Sequence, residues 1–145
     1  MKALRLVVFG ILAVLLVACG SSPSTAASSP SPKGFVVVVT KTDATSGTFL
    51  VSATTQMTLY VFAKDTAGVS NCSGACLKNW PALAVPPNTA IAAGPGITGQ
   101  LSTINRAEGL TQVTYKGMPL YFFINDAKVG DTTGAGKTNW ALAKP

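Results

Sequence analysis

Histidine is missing from all 145 residues. Without an imidazole, Ser-His-Asp and Cys-His nucleophilic sites, the common zinc sites and His-ligated haem are excluded. Charge is sparse too: charged residues make up 11% of the chain and only five are acidic, which leaves few carboxylates for general acid–base work. The net charge of +6 includes Lys2 and Arg5; setting those aside, nine basic against five acidic residues leave +4. No run of Lys or Arg gathers that excess into the patch a nucleic-acid binder uses, so no nucleic-acid partner is expected. Long apolar runs are lacking as well. The longest, Leu6 to Ala18, has thirteen residues, against the about 20 that a spanning helix needs.

That short run has its own meaning. Met1-Lys-Ala-Leu-Arg5 is a cationic start, Leu6 to Ala18 matches the apolar core of an export signal, and Val17-Ala18-Cys19 closes it. A small residue before Cys at this place resembles the lipobox of bacterial lipoproteins, which implies cleavage before Cys19 and lipid on its thiol. Gly20 to Pro32 is Ser/Pro/Ala-rich and uncharged, a composition that cannot bury a core and reads as a tether. The expected order is a signal over 1–18, a lipidated Cys19 with tether over 19–34, and a single folded domain over 35–145. The domain would face outside the cytoplasm, held to the membrane of the cell envelope by its lipid.

One stretch of that domain is written twice. Leu59-Tyr-Val-Phe-Ala-Lys-Asp65 returns as Leu120-Tyr-Phe-Phe-Ile-Asn-Asp126, so Tyr60, Phe62 and Asp65 recur as Tyr121, Phe123 and Asp126 at one constant spacing. Met57 and Met118 precede the two copies, and Trp80 and Trp140 follow them. β-Branched and aromatic residues dominate around each copy. Phe35-Val-Val-Val-Val39, Thr48 to Ser52 and Met57 to Ala63 read as strands, the last two as a hairpin across Ala-Thr-Thr-Gln. Thr111 to Tyr115 and Met118 to Ile124 form the clearest hairpin, turning at Lys116-Gly117. Leu101 to Ile104 reads as a short strand, and the Pro/Gly-rich span Val85 to Gly99 as a connector between repeats. The repeats run over about 48–85 and 110–144. Tyr60 and Tyr121 are expected in the core with partnered hydroxyls, and Asp65 and Asp126 as caps of the turns that follow.

The loops after the two copies differ. Cys72 and Cys76 sit in the first, in a compartment where disulfides persist. A disulfide closing the loop is the reading adopted; a functional dithiol or a soft-metal pair is the alternative. The second loop, Asp126 to Thr138, ends Gly136-Lys137-Thr138 and suggests a phosphate loop. Position 131, where that pattern needs glycine, is Asp, and only seven residues follow Thr138. It reads as a Gly-rich turn.

From LYVFAKDTAGVSNCSGACLKNWPAL in the first half and VTYKGMPLYFFINDAKVGDTTGAG in the second, the chain resembles bacterial predicted lipoproteins with a Y-x-[FWY]-x-x-D motif, a secreted repeat of unknown function. The resemblance implies a tandem, largely β, envelope-anchored domain and brings no established activity. Met118 occupies a position where many members carry His, and Thr-Thr-Gln replaces a usual glycine turn before Met57.

The expectation is an all-β domain: two tandem hairpin-plus-loop repeats packed with pseudo-two-fold symmetry as one antiparallel unit, with at most short helical turns. It is read as a non-catalytic binding or structural module, without cofactor or metal. Its partners would be the membrane through the lipid, and an envelope protein or a small ligand. The alternative is redox or soft-metal (copper) handling through Cys72/Cys76 or Met57/Met118. A carboxylate hydrolase would need Asp65 and Asp126 about 5–9.5 Å apart across a cleft.

Overall fold

The computed structural model describes residues 34–145. The expected signal, Cys19 and all of the tether except Gly34 lie outside the described residues. The elements in chain order are β1 (Phe35–Asp43), β2 (Gly47–Ser52), β3 (Tyr60–Phe62), α1 (Ala75–Asn79), β4 (Ala84–Val85), β5 (Ile91–Ala93), β6 (Leu101–Asn105), β7 (Thr111–Tyr115), β8 (Met118–Pro119) and β9 (Trp140–Leu142). The domain is mostly strand with a single short helix among the described residues. No helix among them is long and apolar enough to cross a membrane.

The valine run extends further than its apolar residues suggest, because β1 pairs antiparallel with β2 from Val38↔Ser52 to Asp43↔Gly47. Asp43 closes that hairpin by accepting the Thr45 and Ser46 N–H groups. After β2 the chain turns at Gln56, whose φ of 58° supplies the left-handed residue that glycine would usually provide. The Ser52 N–H then reaches the Met57 carbonyl at 2.9 Å, so the first hairpin forms without its glycine. In the second hairpin Lys116 (φ 50°) and Gly117 (φ 81°) both take positive φ, the geometry of a tight two-residue turn between β7 and β8.

Two expectations need correction. The span from Val85 to Gly99 is more than a connector, since β5 within it lies beside β1. That pairing is also parallel, a departure from the antiparallel order expected throughout. Physically, the connector's Ile91 and Ala92 complete the apolar side of β1, with Ala92 4% exposed, and the Pro/Gly bias only marks where the chain bends around them.

The repeats exchange their final strands. β9, at the end of the second repeat, pairs with β3 of the first, and β4, at the end of the first, pairs with β7 of the second. The exchange is visible as two triangles of backbone hydrogen bonds. In one, the Leu50 N–H donates to the Ala143 carbonyl, Ala143 to Leu59 and Leu59 to Leu50, each at 2.9 Å. In the other, Val113 donates to Leu83 at 2.8 Å, Leu83 to Leu120 at 2.9 Å and Leu120 to Val113 at 3.0 Å. Each triangle takes two residues from one repeat and one from the other, so neither repeat closes its own backbone pairing. Between the triangles, Tyr60 and Tyr121 exchange both backbone bonds, at 2.8 and 3.0 Å. This pair marks the pseudo-two-fold axis.

Side chains separate into two buried clusters. The first, around Val38, Leu50, Leu59, Val113 and Leu120, is aliphatic; the second gathers Tyr60, Cys72, Trp80, Tyr121, Phe123 and Trp140. Strand alternation explains the split, since Leu59 and Leu120 point to one face while Tyr60 and Tyr121 point to the other. All four are 0% exposed, and each buried large side chain contributes roughly 1.5–3 kcal/mol.

Candidate functional site

The two repeat motifs meet in the aromatic cluster and complete each other there. Trp80 and Trp140 lie face to face with ring centroids 3.7 Å apart and planes 5° from parallel. Phe123 stacks on the outer face of Trp80 at 4.3 Å, and Phe62 on that of Trp140 at 4.5 Å. Each Trp thus carries the Phe of the other repeat. Each also receives the Tyr of its own repeat edge-on, Tyr60 against Trp80 at 5.3 Å and Tyr121 against Trp140 at 5.1 Å. Edge-to-face and offset pairs of this kind add about 0.5–1.5 kcal/mol each beyond burial.

The tyrosine hydroxyls cross the axis as well. Tyr60 donates to Asp126 Oδ2 at 2.7 Å, and Tyr121 donates to Asp65 Oδ2 at 2.6 Å. The second oxygen of each carboxylate holds its own loop. Asp65 Oδ1 accepts the Asn71 N–H at 2.7 Å; Asp126 Oδ1 accepts the Thr133 N–H at 3.0 Å and the Thr133 hydroxyl at 2.6 Å. The turn-capping role expected for the aspartates is therefore one half of what they do. Asp65 and Asp126 are 6% and 7% exposed. Burial, and then the hydrogen bond to a carboxylate, push both phenols upward: Tyr121 to about 12, and Tyr60 further. Deprotonation would set a phenolate against a carboxylate.

Where the loops differ, so do their supports. In the first, Cys72 is joined to Cys76 with their Cα atoms 5.3 Å apart, Cys72 lying buried in the aromatic cluster and Cys76 in α1. In the second, Gly134 packs so tightly that a Cβ there would lie 2.8 Å from Tyr60 Cζ and 2.9 Å from Trp80 Cη2. Its N–H donates to the Tyr60 hydroxyl oxygen at 3.2 Å. The Gly130 to Lys137 stretch consists of turns and carries no helix that could open a phosphate site.

Arg106, whose role no sequence motif indicated, locks the cysteine loop. Its guanidinium Nη1 donates to Ser70 Oγ and, at 2.6 Å, to Gln112 Oε1. Nη2 donates to the Cys72 carbonyl and, at 3.1 Å, to Glu108 Oε1, while Nε donates to Glu108 Oε2 at 3.2 Å. All five N–H groups of the fork are thereby used, in a side chain that is 4% exposed. Burial opposes the Arg106 charge, and Glu108 more than offsets this, so the guanidinium is held above its ordinary value. Ser70 Oγ lies 2.6 Å from the Tyr121 hydroxyl, linking Arg106 through Tyr121 to Asp65. No equivalent exists in the first repeat, where the ladder position of Gln112 is taken by Phe49, buried and apolar. One signal was available: Arg106 is the single arginine after Arg5.

A cleft of about 250 Å³ opens beside this lock, between the cysteine loop (Gly68 to Ser73) and the turn after β6 (Asn105 to Glu108). A second, of about 270 Å³, is apolar and lies where the chain enters β1, against Phe35, Val37 and Phe122. Neither is lined by Asp65 or Asp126. Met57 and Met118 belong to separate hairpins, the first bonded to β2 and the second to β7. Among the described residues no three His, Cys, Asp or Glu side chains converge as a metal site.

No curated protein and no solved structure matches the chain significantly. A family model described as a secreted repeat of unknown function matches it twice, over residues 40–84 and 102–144. The matched spans begin in β1 and β6 and end at the exchanged strands, so they contain both triangles and the whole aromatic cluster. The chain therefore belongs to this lipoprotein family of secreted repeats of unknown function, and carries two copies folded into one another.

Proposed function

We propose that this lipoprotein is a non-catalytic display module of the cell envelope, anchored through Cys19 and presenting its loops to a partner or small ligand. One observation supports the non-catalytic reading above all. The chemistry-bearing residues of the repeat, Tyr60, Tyr121, Asp65 and Asp126, are buried and spend their hydrogen bonds on each other and on their loops. A general base or nucleophile needs a free face toward substrate, and these residues lack one.

The recognition surface in this reading is the cleft between the cysteine loop and the Asn105 to Glu108 turn. Loops on a rigid scaffold are the usual place for binding residues, and here a disulfide and a fully bonded arginine preorganise the loop. Arg106 has no N–H left for a ligand, so recognition would rest on the loop backbone and on Ser73, Asn105 and the exposed Val69.

Photo-crosslinking from position 69 or 105 of the lipidated chain in membranes tests this. A discrete adduct lost on substituting Ser73 and Asn105 supports the reading. A chemical turnover abolished by Asp65→Asn or Asp126→Asn in a still-folded protein would sink it. The anchor has its own test: Cys19→Ser should move the protein from the membrane fraction to the soluble one.

A further inference from the structure

We propose that the aromatic core is a one-electron relay that carries an oxidising equivalent from the Trp80–Trp140 pair to Tyr60. This activity lies beyond the display role and does not depend on it. Trp80 and Trp140 are 7% and 8% exposed, whereas Tyr60 and Tyr121 are 0% exposed, so a small oxidising radical meets the indoles first. Tyr60, Trp80, Trp140 and Tyr121 then form an unbroken line, with ring centroids 5.3, 3.7 and 5.1 Å apart. At each end the phenol already donates to a carboxylate, at 2.7 and 2.6 Å. A base is in place to take the proton when the electron leaves, and a phenol that can shed its proton in this way is easier to oxidise than an indole.

In the first step a small one-electron oxidant, an inorganic or peroxyl radical, takes one electron from the stacked indoles and leaves a tryptophanyl radical cation. Tyr60 gives one electron to that indole while its hydroxyl proton crosses to Asp126 Oδ2. The phenol O–H bond breaks, a carboxylic O–H bond forms, and the indole is restored. A neutral phenoxyl radical at Tyr60 remains beside a protonated Asp126. One electron from a small reductant such as a thiol, with return of the proton, resets the pair.

The asymmetry of the loops sets the direction. Tyr121 shares Ser70 with the Arg106 guanidinium; of the Arg106–Glu108 ion pair it is this positive end that adjoins the Tyr121 hydroxyl, and it opposes electron loss there. Beyond Asp126, the Tyr60 oxygen contacts only the uncharged Gly134 N–H. The oxidising equivalent therefore settles on Tyr60.

Pulse radiolysis of the intact chain with azide radical tests this. In the unmodified protein the visible absorbance of the tryptophanyl radical should give way to the near-ultraviolet band of the tyrosyl radical. The rate should be independent of protein concentration and slower in D2O. Tyr60→Phe should lose most of that conversion, and Tyr121→Phe should keep most of it. A tryptophanyl radical that persists in the unmodified protein overturns the relay without recourse to any variant. Conversion that survives in the Tyr60→Phe/Tyr121→Phe double variant overturns it too, because the radical would then sit on Tyr115, outside the cluster.

Discussion

The hydroxyl of Tyr60 donates to the carboxylate of Asp126, 66 residues away and in the other repeat, and Tyr121 repays the arrangement with Asp65. Either motif alone would bury a phenol and a carboxylate without their partners.

Tyr60→Phe should lower unfolding stability by about 1.5–3 kcal/mol, the scale of a hydrogen bond to a charged group. Combined with Asp126→Asn, a double-mutant cycle in chemical denaturation should show a coupling of about 0.5–3 kcal/mol. Additive effects would mean that the two side chains do not interact in solution.

Alkaline pH should unfold the protein through its tyrosines. Both phenols are raised in the folded state above the ordinary value of 10.0, Tyr121 to about 12 and Tyr60 further. The unfolded chain therefore gives up these protons first. The stability they contribute is fully present below pH 10.0 and is lost as pH rises toward about 12 and beyond. Denaturant midpoints should fall over that window, and Tyr60→Phe/Tyr121→Phe should flatten the slope.

Reduction of the disulfide between Cys72 and Cys76 should cost about 2 kcal/mol, as expected for so short a closed loop. Thiol titration of the unfolded, non-reduced domain should find neither sulfur free. Two titratable thiols would instead favour the dithiol or metal reading.

Gly134→Ala should destabilise by about 1–3 kcal/mol, since the added methyl meets Tyr60 and Trp80 at under 3.0 Å and an overpacked core must shift. Tryptophan fluorescence should report the disturbed stack. Gly134 does not have positive φ among the glycines, so the cost comes from contact and not from backbone strain.

Arg106→Lys should cost about 2–3 kcal/mol, because an ammonium offers three donors where the guanidinium fills five positions. Limited proteolysis should then cut sooner near Lys64 and Lys78, which flank the released loop. Rates equal to those of the unmodified protein would show that the disulfide alone holds it.

Much of the local structure was legible in the chain. The constant spacing of Tyr60, Phe62 and Asp65 to Tyr121, Phe123 and Asp126 exposed the repeat, the Lys116-Gly117 pair named its turn, and the compartment implied by the Cys19 segment made a Cys72–Cys76 bond reasonable. These signals depend on neighbours along the sequence. Arg106 escaped because its five acceptors come from positions 70, 72, 108 and 112, and no spacing rule links them. The parallel partner of β1 escaped for the same reason, hidden in a Pro/Gly-rich span.

The sequence by itself determined that one unit is used twice, that its strands have an aromatic and an aliphatic face, and that histidine chemistry is excluded. Tertiary structure alone decided that the two units are exchanged. Each Trp segment could have returned to its own hairpin, and repetition in sequence is silent on that choice. In the exchanged arrangement the strand of the opposite repeat closes each triangle of backbone bonds, and each tyrosine lies within 2.7 Å of the opposite repeat's buried carboxylate, so the two halves satisfy each other's polar groups. A motif that reads in the sequence as core tyrosine and turn-capping aspartate becomes, in three dimensions, the joint between the two repeats.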